Sequence, residues 1–346
     1  MLRSVAAPAV VTIAFALCTG CQKGVRTYND DQGFPKKLSA WHLFRGKPSR
    51  LNPNTGVIPY DLITPLFSDY ATKRRFVWMP PGTSAQYRED DGFEFPVGTI
   101  LVKAFSYPDH GRETLIETRL LVRTRNGWFG LPYVWNADET EAELEMAADP
   151  VRVTYRHPSG RILTFDYQIP NANQCKGCHE KAKTTVPIGP KARNLNRDFA
   201  YASGPKNQLA YWTEAGYLRG APDAAHAPRV VAWNDPSAPL EERARAYLDV
   251  NCAHCHNAQG PANNSGLYLS YTETDPMRLG FHKVPVSAGN ASGGLLFDLV
   301  AGHPEESILI HRMESTAPKI LMPELGRSLV HQEGVQLIRD WLRSRS

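Results

Sequence analysis

Glu117-Thr118-Arg119-Leu120-Leu121-Val122-Arg123, followed at once by Arg125-Asn126-Gly127, decides how the first half of this chain is read. The first stretch reads as a strand. The Asn-Gly pair supplies residues that tolerate the backbone of a tight hairpin turn. Working outward, Phe76-Val77-Trp78, Thr99-Ile100-Leu101-Val102-Lys103 and Val151-Arg152-Val153-Thr154-Tyr155 read the same way, with Pro158-Ser159-Gly160 as a second turn. Several short strands at close spacing predict an antiparallel β-rich domain over residues 30–168, a sandwich or related barrel. The 27 Pro and 26 Gly of the 346 residues favour turns and strand connections over long helices. No metal cluster, nucleophile motif or phosphate loop is found in this region. Trp78, Trp128 and Trp135 read as half-buried sheet positions, with a sugar or partner surface as the alternative.

The chain holds six cysteines, and their placement carries the chemistry. Cys18 and Cys21 close the first 21 residues. That segment has a charged start at Arg3 and an apolar stretch from Val5 to Leu17, too short for a membrane span. It reads as a secretory signal peptide. A small residue before Cys21 resembles a lipoprotein signal, with Cys21 as the lipid-carrying first residue of the mature chain; ordinary cleavage nearby is the alternative. Either way the expected location is the periplasmic side of a bacterial envelope, soluble or lipid-anchored.

The other four cysteines fall in two pairs, Cys175-Lys176-Gly177-Cys178-His179 and Cys252-Ala253-His254-Cys255-His256. C-x-x-C-H is the signature of covalent c-type haem attachment. Two thiols add to the two vinyl groups of the macrocycle, and a two-residue gap lets one turn of chain reach both. The next residue, His179 or His256, then lies under the iron as its proximal ligand. Three other readings compete. A zinc site built from two such pairs usually has its halves much closer together. A thioredoxin-like pair wants a βαβ pattern, which is not found. Structural disulfides would not require a His after each pair. The expected cofactors are therefore two covalently bound haems.

Residues 236–346 read as an all-α domain of the class I cytochrome c type. Leu240, Ala244, Tyr247, Leu248 and Asn251 mark an amphipathic helix that runs into Cys252, and Val335, Leu337, Ile338, Trp341 and Leu342 mark a closing helix. In that fold a loop Met before the last helix gives the sixth iron ligand. Met322, in Leu321-Met322-Pro323, has that position. Met313 reads as part of a helix face, and Met277 lies in a turn too near the motif. His254 reads as a surface side chain. A carbonyl of Gly260-Pro261 is the expected partner for the second nitrogen of His256.

Residues 169–235 read as the first haem-binding segment. Pro170 to Gln174 is loop-like, and Asn207-Gln208-Leu209-Ala210-Tyr211-Trp212 is helical. The distal ligand is not legible: Met79, His157 and His226 are candidates with ordinary alternatives. An open iron is a further alternative, which would admit peroxide chemistry.

Scattered Lys and Arg and a formal charge of +4 give no case for nucleic-acid binding. A modest basic balance would help dock an acidic redox partner. Tyr167-Gln168-Ile169-Pro170 leading to Cys175, Leu195-Asn196-Arg197-Asp198, Arg243 to Leu248 running into the second motif, and Met322-Pro323 together resemble an uncharacterised family of bacterial exported di-haem c-type cytochromes. Thr64-Pro65-Leu66-Phe67-Ser68-Asp69-Tyr70 and Glu117 to Trp135 resemble its N-terminal region. The resemblance implies haem and export, and no pathway. The leading expectation is an electron carrier more than a catalyst. A peroxidase-like haem enzyme, its first haem catalytic and its second an electron feeder, is the alternative. A ligand-binding β-domain with accessory haems is the third reading.

Overall fold

The structure, a computed structural model, describes residues 23–109, 111–147 and 149–345. The expected signal peptide, with Cys18 and Cys21, lies outside the described residues. Six strands form one antiparallel sheet in simple chain order: β1 (Ile58–Tyr60), β2 (Thr72–Trp78), β3 (Ile100–Asp109), β4 (Arg112–Thr124), β5 (Gly127–Trp135) and β6 (Ala142–Leu144). The turn from β4 to β5 falls at Arg125-Asn126, with Gly127 at φ 123°. The meander is open, with β1 and β6 as its edges, and the other pairings are two-stranded, so the expected sandwich or related barrel is replaced by a single open sheet.

Side-chain alternation gives the sheet two different faces. One carries Val102, Leu120, Leu131 and Tyr133 and buries them against Leu38, Trp41, Leu43 and Leu51 from the N-terminal segment. On the other, Leu101 pairs across to Leu121 and Lys103 to Arg119, while Leu121 pairs with Gly130. That second face is covered by the remainder of the chain. Trp78, Trp128 and Trp135 are all buried. A separate hairpin, β7 (Val151–Arg156) and β8 (Ile162–Tyr167), packs Tyr155, Phe165 and Tyr167 on Phe105 and Tyr107.

The helices are short. They are α1 (Ala172–His179), α2 (Ala192–Leu195), α3 (Gln208–Glu214), α4 (Leu240–Asn251), α5 (Pro276–Leu279), α6 (Ile308–Glu314) and α7 (Gln332–Arg343). A two-stranded pairing, Asp198–Tyr201 with Gly204–Asn207, sits between α2 and α3. Among the described residues no helix is long and apolar enough to cross a membrane.

The expected all-α class I cytochrome c-like domain is not evident: the molecule is β-rich and built on the six-stranded sheet. Helices α4 and α7 do form where periodicity placed them and share an apolar core with α6. Between His256 and Ile308, however, the only α-helix is the single turn α5, and the rest is turns, 3-10 segments and isolated bridges such as Phe281 to Leu299. The cause is local. Gly260, Pro261, Gly266, Gly280, Pro285, Gly289, Gly293, Gly294 and Pro304 punctuate this stretch, and each either frees the backbone or removes a donor that a helix needs.

Nor does this part stand apart from the sheet. Thr64–Tyr70 threads between them. The Asn194 side chain exchanges two hydrogen bonds with Thr64, and Asn251 Oδ1 accepts from the Phe67 N–H at 2.8 Å. Asp69 and Tyr70 both take left-handed backbone, φ 50° and 63°. Non-glycine residues adopt it only when their surroundings insist. Here the Tyr107 hydroxyl donates to the Asp69 carbonyl, and the buried Asp69 carboxylate accepts from the N–H groups of Ser328 and Leu329.

Candidate functional site

Parts of both C-x-x-C-H segments line one cavity, mostly apolar, between the second face of the sheet and the helices; Cys255 and His256 are not among its lining residues. The sheet supplies a wall of Leu101, Lys103, Arg119, Leu121 and Gly130; the other sides bring Cys175, Cys178, His179, Cys252, His254 and Met322.

Helix α1 places the first segment. Asn171 Oδ1 accepts from the Gln174 N–H, and Gln174 Oε1 accepts from the Asn171 N–H, both at 2.9 Å. This reciprocal cap starts a helix where a loop was expected. Residues three and four apart on a helix share a face, so Cys175, Cys178 and His179 point one way. The helix lies directly on β5: a methyl added at Gly130 would sit 3.0 Å from Cys175 Cβ and 3.3 Å from its sulfur. Glycine allows this approach without displacing the helix, whereas a larger residue would push Cys175 back by a few tenths of an ångström.

The second segment leaves the end of α4 and stays tightly turned, with the His256 N–H donating to the Cys252 carbonyl at 2.9 Å. The two segments are stitched together by the Ala182 N–H, which donates to the Gln259 carbonyl at 2.8 Å. All four cysteines are free thiols. Burial raises the pKa of Cys175 and Cys178 and pushes Cys252 and Cys255 up to about 12.

Each motif histidine is held by one nitrogen. His179 Nδ1 lies 2.8 Å from the Val186 carbonyl, which only accepts, so Nδ1 carries the proton and Nε2 keeps its lone pair. His256 Nδ1 lies 3.3 Å from Ser265 Oγ. That hydroxyl donates its own proton to the Ala262 carbonyl, so it accepts from His256. The partner expected from Gly260-Pro261 is therefore replaced by Ser265. Burial pushes both imidazoles down to about 4, and both are neutral at pH 7.

Met322 lies on the loop between α6 and α7 and lines the cavity half-buried. Its N–H donates to the Arg312 carbonyl at 3.0 Å. Buried Arg327 donates to the carbonyls of Met322, Ser315, Arg312 and Leu329, so one guanidinium gathers the whole loop. Met313 also lines the cavity, from within the core of α6. Met277 is 54% exposed, away from it.

The three distal candidates from sequence do not reach the cavity. Met79 is buried in a different core cluster, with Val77 and Phe93. His157 bonds Ser159 through Nδ1 and faces Glu333 through Nε2. His226 is exposed. His254, read as a surface side chain, instead lines the cavity half-buried, and its Nδ1 is buried and makes no well-formed hydrogen bond.

Sequence reasoning also missed the charged wall. Buried Glu117 accepts from Nε and Nη2 of Arg119 and from the Tyr167 hydroxyl, the last at 2.7 Å. Beside them Lys103 is pushed down to about 7 by burial and then by Arg75 and Arg119. The one sequence signal was charge placed inside a strand pattern at Lys103, Glu117 and Arg119. His331, also lining the cavity, stacks on Phe67 at 4.2 Å and bonds the Tyr247 hydroxyl through Nδ1.

No protein-family model, no curated protein and no solved structure matches this chain.

Proposed function

We propose that the chain is an exported di-haem c-type cytochrome that passes single electrons between redox partners on the periplasmic side of a bacterial envelope. One haem would be held by Cys175, Cys178 and His179, and the other by Cys252, Cys255 and His256. The observation that supports this reading is that Cys175, Cys178 and His179 of the first segment and Cys252 and His254 of the second line one mostly apolar cavity, with the Nδ1 of His179 and of His256 tied back. Bound haem supplies a one-electron ferric/ferrous couple whose potential follows its axial ligands and burial.

The residues present fit that group. Four unpaired thiols stand at the attachment spacing. Two neutral imidazoles each keep a free Nε2. Arg119, paired with Glu117, and Lys103, whose charge burial disfavours, stand on one wall of the cavity as hydrogen-bond donors that suit the acidic side groups of the macrocycle. Met322 is the thioether assigned to the second iron, on a loop that Arg327 holds in place. A thioether favours reduced iron and raises the potential.

A potentiometric titration of the purified holoprotein tests the electron-carrier reading. Two reversible one-electron waves with c-type spectra, and no carbon monoxide binding by the reduced protein, are expected. Bound carbon monoxide together with turnover of peroxide would contradict it and favour the haem-enzyme alternative.

A further inference from the structure

The first iron lacks an assigned sixth ligand, and three observations identify one. His254 lies within the second motif, between Cys252 and Cys255, yet it lines the cavity alongside Cys175, Cys178 and His179. Its Nδ1 is buried and makes no well-formed hydrogen bond, with the Val250 backbone only in weaker reach of the ring, an unfavourable state for a ring nitrogen. The bond from Ala182 to Gln259 fixes the loop after the first motif against the loop after the second. His254 is thus held at a set position relative to His179.

The other cavity residues with donor atoms are less suited. His331 is engaged by Tyr247 at Nδ1 and faces Glu333 at 3.8 Å through Nε2. Met313 is part of the α6 core. Met322 lines the same cavity, but its place on the loop before α7 is the one expected of the ligand to the second iron.

Resting on the di-haem reading above, we infer that His254 is the sixth ligand of the first haem iron, supplied in trans by the attachment motif of the second. The first haem is then ligated by His179 and His254, and the second by His256 and Met322. One short segment serves both groups: Cys252 and Cys255 anchor one, and the residue between them closes the other. The first iron has no open position for exogenous ligands, and its potential lies below that of the thioether-ligated iron.

Near-infrared magnetic circular dichroism of the oxidised full-length holoprotein reads axial ligands directly. The expected result is one bis-histidine and one histidine/methionine population in equal amounts. Two histidine/methionine populations, or one high-spin haem, would overturn the assignment. In the His254→Ala holoprotein one haem of the two should turn high-spin, the reduced protein should bind one carbon monoxide per chain, and added imidazole should restore the low-spin form. Two low-spin haems in His254→Ala, with loss of a ligand in His331→Ala instead, would refute His254 and leave the di-haem reading standing. Absence of covalent haem from the wild-type chain would remove the di-haem reading itself.

Discussion

His179 and His256 differ in what holds them, a carbonyl for one and a serine hydroxyl for the other, and agree in what is left free. Hydrogen bonding to Nδ1 sets the tautomer and the ring angle, and the other nitrogen is aimed. At this scale the motif spacing singled out four cysteines and two histidines in the sequence, of which Cys175, Cys178, His179 and Cys252 line the cavity and Cys255 and His256 do not. His254 was not legible. A histidine inside a motif has no spacing of its own to judge, and only the cavity showed where it points. Met322 sits between these cases: its loop was readable, and the arginine that organises the loop was not. Replacing Met322 by Ala is expected to abolish the histidine/methionine population in the near-infrared spectrum, while Met313→Ala retains it. The reverse pattern would move the ligand to α6.

Elements were readable where one period ran long enough. The i, i+4, i+7 pattern found α4, and the closing pattern found α7. Helix α1 was missed although Asn171 and Gln174 have capping-box spacing, because Pro170 and two asparagines gave the stretch a loop composition. The stretch from Asn257 to Ser307 was misjudged for a different reason. Flanking helices were taken to imply a helical interior, and its Gly and Pro residues forbid one. The loop that carries Met322 likewise has little regular structure, so its carbonyls need donors from elsewhere. Arg327 supplies them at 7% exposure. Arg327→Ala strands several carbonyls at once and should lower unfolding stability by roughly 2–3 kcal/mol, read from the denaturant midpoint. It should also weaken the Met322 spectral signature. An unchanged midpoint and spectrum would show the loop to be held by other contacts.

At the scale of the whole molecule, the chain is one interlocked body, and that escaped the sequence because the ties are single polar residues far apart in the chain. Asp249 on α4 is the clearest. It takes a two-pronged hydrogen bond from Arg193 on α2, accepts from the Tyr271 N–H at 3.0 Å and lies near Lys191. Burial works against its charge, but Lys191, Arg193 and the Tyr271 N–H outweigh burial, and the carboxyl is held below its ordinary value. A lowered folded pKa means that the pair stabilises the fold above the unfolded carboxyl pKa of about 3.9 and stops doing so as pH falls through the lower folded value. Asp249→Asn leaves Arg193 buried against a neutral group. At pH 7 it should cost about 3 kcal/mol, and the gap from wild type should narrow as the pH is lowered below about 4. A gap that stays constant with pH would show that charge at Asp249 does not matter. The sheet itself was foreseeable as strands and turns, whereas its openness and its use as a wall of the cavity depend on which face each strand turns inward.

The central claim is chemical, and mass determines it. The mature polypeptide, produced in a host able to attach haem and then denatured, should carry two macrocycles, with fragments placing one on Cys175 and Cys178 and the other on Cys252 and Cys255. Unmodified thiols, a disulfide or bound zinc at those four positions would contradict the account.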